Sequence, residues 1–128
     1  MNPLGHPLGH WNYPHEFNPN EYFGFCYMII NNKNGRCYIG KKQFRTHRKC
    51  NGRVISFHSD WKDYTSSSET VMEAILLSGY HNFSFEILSL HKTREELEEA
   101  EIALQLEFKV LTAKLPNGQK MFYNFRIG

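Results

Sequence analysis

Residues 25–40 read Phe-Cys-Tyr-Met-Ile-Ile-Asn-Asn-Lys-Asn-Gly-Arg-Cys-Tyr-Ile-Gly, two runs of β-branched and aromatic residues on either side of Asn34-Gly35. Asn-Gly between such runs is the strongest short-range hairpin signal, because both central residues of a type I′ turn need positive φ. A two-residue turn there pairs Lys33 with Arg36, Asn31 with Tyr38 and Ile29 with Gly40. Paired residues share a face, as do residues two apart on one strand. Tyr27, Ile29, Asn31, Tyr38 and Gly40 then share one face, and Met28, Ile30, Cys37 and Ile39 the other. The second, apolar set is expected to face the core. The first presents two phenols, one from each strand, beside a glycine that leaves room above the backbone.

The rest of the chain divides around this hairpin. Residues 1–20 are rich in Pro, Gly, Asn and His, and Pro-Leu-Gly-His occurs twice in succession. They show no period of 2 or 3.6 and read as a flexible arm, with 21–128 as one domain. His6, His10 and His15 in the arm fit no helix face and are not expected to form a metal site. After Gly40, Gln43–Lys49 reads as a short helix ended by Asn51-Gly52, followed by an extended piece at 54–57. Ser59–Ser68 reads as a loop with aromatic anchors. Ser68 and Gly79 are cap candidates for a helix whose apolar positions are Val71, Met72, Ile75 and Leu76. Residues 82–88 form the third strand. Thr93-Arg94-Glu95-Glu96 has the capping-box pattern and opens a helix expected to reach Leu111. Pro116-Asn117-Gly118 is a turn before a closing extended segment at 121–125. The fold class is α+β, a small antiparallel three-stranded sheet that starts with a β-hairpin and packs with helices.

Glu101 stands out on the long helix. Leu97, Ala100, Leu104, Phe108 and Leu111 make one apolar stripe, and Glu101 falls within it, whereas Glu95, Glu98 and Glu99 point elsewhere. A carboxylate on a buried stripe is costly unless it is paired or binds a cation. Among the 128 residues the net charge is only +2, but its distribution is uneven. Lys41, Lys42, Arg45, Arg48, Lys49 and Arg53 crowd the segment after the hairpin. A basic run beside the two-tyrosine face is an electrostatic footprint for phosphate.

Composition excludes some classes. No stretch approaches the length of a membrane span, and no secretory leader is expected. Three cysteines, Cys26, Cys37 and Cys50, form no CxxC, and free thiols in a reducing cytoplasm are the simplest account.

The paired strands and Tyr38-Ile39-Gly40 resemble the motifs of the GIY-YIG nuclease family, with Phe25-Cys26-Tyr27 in place of Gly-Ile-Tyr. The resemblance covers about 25–125. Trp61-Lys62-Asp63-Tyr64, Ser66-Ser67, Gly79 and Phe83–Leu88 resemble the phage-encoded branch, which includes homing and free-standing endonucleases. It implies a DNA endonuclease that hydrolyses phosphodiesters with Mg²⁺ or Mn²⁺. By that resemblance Tyr27, Tyr38, Arg48, Glu101 and Asn124 are the catalytic candidates, and Glu101 is the metal ligand. Arg45 is the alternative arginine. Lysines after the second motif serve in some branches, which brings in Lys41 or Lys42. Tyr27 is assigned as base or water-orienting group, provided its pKa is lowered, with Tyr38 supporting it or holding the phosphate. Lys41, Lys42, Arg45, Lys49 and Arg53 are assigned to DNA contact. The alternative function is a nucleic-acid-binding module without catalysis, to which the altered first motif and Gly52, where members carry His or Tyr, both point. Homing members usually add a downstream DNA-binding region. With four residues after Asn124, selectivity is expected from the domain itself, from a homo-oligomer or from a separate partner.

Overall fold

The computed structural model describes residues 8–128. Its strands are β1 (Gly24–Asn31), β2 (Cys37–Gln43), β3 (Arg45–Cys50), β4 (Arg53–His58) and β5 (Phe83–His91), and its α-helices are α1 (Glu69–Ser78) and α2 (Arg94–Glu107). The main sheet is antiparallel in the order β2-β1-β5, and β3 and β4 form a separate two-stranded ribbon. Two helices around a three-stranded sheet make the α+β class expected from the sequence. Among the described residues no helix is long and apolar enough to cross a membrane.

The β1–β2 hairpin forms in a register two residues away from the expected one: Ile29 pairs with Tyr38, and Tyr27 with Gly40. Asn31 and Asn34 accept from the amides of Lys33 and Arg36 through their side chains, and in this loop only Gly35 takes positive φ, 82°. These Asx turns build a wider loop than the two-residue turn. A shift of two preserves the faces, because side chains alternate with period 2.

The other Asn-Gly pair makes the tight turn. Asn51 and Gly52 both have positive φ, 52° and 77°, and Cys50 pairs with Arg53 across them. The expected helix at 43–49 is therefore a strand. Thr46, His47 and Cys50 are weak helix formers, and the type I′ turn pairs Arg48 and Lys49 with the β-branched Ile55 and Val54.

Both faces of the main sheet are covered, so the expectation that only the Met28/Ile30/Cys37/Ile39 face meets the core is corrected. That face packs on Val110, Phe122 and Leu104. The tyrosine face carries the larger core: Phe25, Tyr27, Ile29, Phe85 and Ile87 lie under Trp11, Phe44, Trp61 and Val71. Burying one such side chain contributes about 1.5–3 kcal/mol. Trp11 belongs to the segment expected as a flexible arm, yet it is fully buried. Its Nε1 donates to Trp61 O at 2.5 Å, and Asn12 bridges to Glu86 on β5. Residues 8–17 thus strap the tyrosine face. Of the expected arm, residues 18–20 enter a short 3-10 turn at Pro19–Glu21, and 1–7 with His6 lie outside the described residues. His10 stacks on Phe85 and bonds to Tyr80 Oη and Tyr64 O, and burial lowers its pKa to about 4. It is a packing residue, whereas His15 is exposed beside Tyr13.

Helix α1 is capped by Ser68 and Gly79 as expected. Its expected apolar stripe splits: Val71 and Ile75 pack, while Met72 and Leu76 face solvent. Helix α2 starts on Thr93, whose Oγ1 accepts from Glu96 N. It ends at Glu107 rather than Leu111, because Lys109 enters the left-handed region. Phe108 and Leu111 are then exposed, and the buried row is Leu97, Glu101 and Gln105, one turn apart. All three cysteines are free.

Candidate active site

The tyrosine pair is built by the pleat of β1 and β2. Tyr27 and Tyr38 come from the same face, with ring centroids 6.3 Å apart. Tyr27 lies over Gly40: a Cβ built on Gly40 would stand 2.5 Å from Tyr27 Oη and 3.0 Å from Tyr38 Cε2. Glycine is required here by close approach rather than by φ. Tyr27 is buried, and Tyr38 is half-buried on the wall of an open cleft of about 350 Å³.

Tyr64 and Ser66 complete the cluster. Tyr64 sets its ring edge-on to Tyr27, centroids 6.2 Å apart, and the Ser66 hydroxyl lies where it favours the ionised form of both motif phenols. Ser66 is a buried non-glycine residue at φ 113°, a conformation that costs on the order of 1–3 kcal/mol. Its Oγ also accepts from Ser68 N at 2.9 Å, so the start of α1 holds it in place.

Glu101 reaches the sheet from the opposite face. It is 5% exposed, and its Oε1 accepts from Lys41 Nζ at 2.9 Å. The buried carboxylate is therefore paired, and the partner is the first residue after Tyr38-Ile39-Gly40. Lys41 and Lys42 alternate along β2. Lys41 turns to α2, while Lys42 turns to the tyrosine side, where it pairs with Asp60 at 2.7 Å and lies over the Tyr64 ring. The Lys42 bond holds the Asp60 pKa below its usual value.

The phenols are not activated as they stand. Burial pushes Tyr27 well above its ordinary pKa, and the Tyr64, Tyr38 and Glu101 charges push the same way against the Ser66 hydroxyl. Burial also raises Tyr38, with Glu101 adding to it, while the Ser66 hydroxyl and Arg126 pull it down. The condition set for Tyr27 to act as base, a lowered pKa, is not met by these surroundings: both phenols keep their protons at neutral pH. Since both folded pKa values are raised, the stabilisation belongs to the neutral phenols. It is complete below pH ~10 and is lost as pH rises through the folded values.

Asn124 serves the backbone of the motif. Its Oδ1 accepts from Ile39 N at 3.0 Å and its Nδ2 donates to Ile39 O at 2.8 Å. Gln105 Nε2 donates to the same carbonyl at 3.1 Å. Two side chains thus satisfy the outer edge of β2, next to Tyr38. Asn124→Ala leaves a buried N–H unpaired and is expected to cost roughly 1–3 kcal/mol in urea unfolding. Asn124→Asp keeps the acceptor and should lose less. An alanine variant that melts with wild type would mean Asn124 does not hold the strand.

The structure does not bring Arg48 to the tyrosines. It lies on the outer half of β3 with its guanidinium over Phe57, and Arg45 is engaged by Ser56 and His58 on the same ribbon. The arginine near Tyr38 is Arg126, which lines the cleft with Asn124, Ser67, Ser68 and Thr70. Sequence reasoning missed Arg126, Gln105, Tyr64 and Ser66. The adjacency of Arg126 to Asn124 was the one signal available for it.

Among the described residues no three or more His, Cys, Asp or Glu gather as a metal cluster. A cation site here rests on Glu101 alone as carboxylate. That donor fits a hard ion that keeps several waters and takes its remaining ligands from a phosphate, since Glu101 is balanced only by a lysine that is itself 34% exposed.

A phenol pair over a glycine, a buried carboxylate from a later helix, and an asparagine closing the edge strand are thus gathered around one hairpin. The family model described as "Putative endonuclease segE, GIY-YIG domain" matches residues 11–127. The chain belongs to the GIY-YIG nuclease family. No curated protein and no solved structure matches it.

Proposed function

We propose that the protein is a divalent-metal-dependent DNA endonuclease of the phage-encoded, homing-like type, working in the reducing cytoplasm that its free thiols suit. The observation that carries this reading is the packing of Tyr27 and Tyr38 over Gly40, with the buried Glu101 tied to Lys41, the next residue of the same strand. In hydrolysis a water oxygen bonds phosphorus, the bond to the leaving ester oxygen breaks, and that oxygen takes a proton. Tyr38, which opens on the cleft, is the phenol suited to meet water or phosphate. Tyr27, buried beside it over Gly40, holds it in position by packing. This exchanges the two roles expected from the sequence. Arg126 is suited to offset charge on the phosphate oxygens from the same cleft, in place of Arg48. Mg²⁺ or Mn²⁺ on Glu101 would supply hard positive charge against the phosphate. Lys41, partly exposed, is free to move from the carboxylate to a phosphate oxygen.

The test is incubation with supercoiled plasmid and Mg²⁺ or Mn²⁺, with an EDTA control. Nicking or linearisation that EDTA stops is expected. DNA binding without cleavage under either metal would establish the rival, a nucleic-acid-binding module of the same fold.

A further inference from the structure

The β3–β4 ribbon is built unlike the rest of the molecule. Every residue of both strands is exposed except Arg45, which is half-buried. An isolated two-stranded hairpin is marginal in water, and this one leaves Val54, Ile55 and Phe57 open, at 65%, 45% and 38% exposure. Its root is nonetheless firm. Phe44 is fully buried against Phe25 and Trp61, and Ser59 ties its backbone amide to Phe44 O and its hydroxyl to Gln43 O.

Charge identifies the occupant. From Lys41 to His58 the chain has no Asp or Glu. The cross-strand register puts Arg45, His47, Lys49, Val54, Ser56 and His58 on one face, and Thr46, Arg48, Cys50, Arg53, Ile55 and Phe57 on the other. Both faces are basic and neither is acidic. A surface that docks on a flat partner needs one such face. A ribbon basic on both sides suits a slot walled by negative charge on both sides, which is a groove of duplex DNA between its two phosphate backbones. The major groove, about 12 Å wide, admits a two-stranded ribbon. Lysine and arginine at the margins would meet phosphates, and the face turned to the groove floor would bring either Val54 or the pair Ile55 and Phe57 to base edges and thymine methyl groups.

We propose that the β3–β4 ribbon enters the DNA groove and discriminates among sequences there, so that the nuclease domain carries its own site-selecting element. This rests on DNA being the substrate. Tyr38 and Arg45 are seven residues apart along the chain, at most about 23 Å when extended. One duplex can therefore span the cleft and the ribbon.

The experiment reads binding in EDTA, so that its result does not depend on cleavage. Full-length protein selects from a pool of randomised duplexes, and the enriched sequences are compared between wild type and Val54→Ser/Ile55→Ser/Phe57→Ser. Wild type is expected to enrich a defined motif, and the triple variant to lose that preference roughly tenfold. Its thermal unfolding should track wild type, since neither ribbon face packs on the core. In the companion variant Lys49→Gln/Arg53→Gln, the slope of log affinity against log salt should fall by about 2 with the motif retained. Wild type binding all duplexes alike, or a triple variant selecting the same motif with equal strength, overturns the proposal. Plasmid nicking with no motif would leave the endonuclease reading standing and remove the ribbon's role. A selective ribbon on a protein that never cuts would do the reverse.

Discussion

Glu101→Ala is expected to lower DNA cleavage by on the order of 10³-fold while the fold keeps its stability to within about 1 kcal/mol. Both halves follow from the geometry of the pair. Glu101 is buried and its partner Lys41 is a third exposed. Breaking a fully buried pair strands a charge and costs about 3–5 kcal/mol. Here the stranded group is a lysine that can turn into solvent, and the alanine also removes a carboxylate that is expensive to bury. Activity has no such escape, because among the described residues no group of three or more His, Cys, Asp or Glu is gathered to hold a metal in its place. Glu98→Ala, exposed on the same helix, is the control and should change neither quantity. Plasmid cleavage, urea unfolding and calorimetric Mn²⁺ titration of wild type and both variants decide the matter. A well-folded Glu101→Ala protein that cuts at the wild-type rate would end the metal-site assignment. A loss of several kcal/mol, with activity falling only as the protein unfolds, would make Glu101 a structural residue.

Gly40→Ala is the change that should damage site and fold together. The new methyl would stand 2.5 Å from Tyr27 Oη, 2.7 Å from Tyr27 Cζ and 3.0 Å from Tyr38 Cε2. Tyr27 is locked among Trp11, Phe25 and Tyr64, so its ring cannot swing clear. Overpacking of this kind costs about 1–3 kcal/mol. Moving both phenols by even 1 Å is expected to lower kcat/KM by about 10²-fold. Gly40 is not in the left-handed region, so the backbone accepts alanine and the effect is steric. The double variant Gly40→Ala/Tyr27→Phe removes the nearest atom and should recover part of the lost stability without restoring cleavage. If Gly40→Ala melts and cuts like wild type, the phenols do not lie over this glycine in solution.

Local chemistry was legible in the residues, and so was anything governed by a period. The Thr93 and Ser68 caps, Gly79, the Pro116-Asn117-Gly118 turn and the sharing of one face by Tyr27 and Tyr38 depend on neighbours a few residues apart. The face assignment survived a register error because side chains alternate every two residues. Two Asn-Gly pairs could not be told apart in the same way. Asn31 and Asn34 bond the loop amides at the first pair, whereas Asn51-Gly52 closes tightly with no competing side chain. The helical wheel put Glu101 on a buried stripe but could not supply its partner, since Lys41 lies 60 residues earlier.

Tertiary structure alone decided which basic groups attend the tyrosines. The spacing of Arg48 after Tyr38 presumes a helix, and a strand carries that side chain outward instead. Arg126 arrives because Asn124 and Gln105 clamp the edge of β2 and draw the end of the chain against it. Ser66 holds its strained φ because it is buried and the Ser68 amide at the start of α1 bonds its hydroxyl. The strap at Trp11 has no periodicity to read, since its burial depends on a pocket formed by Phe25, Trp61 and Phe85. Sequence determines what short-range geometry and alternation dictate. Contacts across long chain separations are chosen by packing and by the need to pair buried polar groups, and only the assembled fold states that choice.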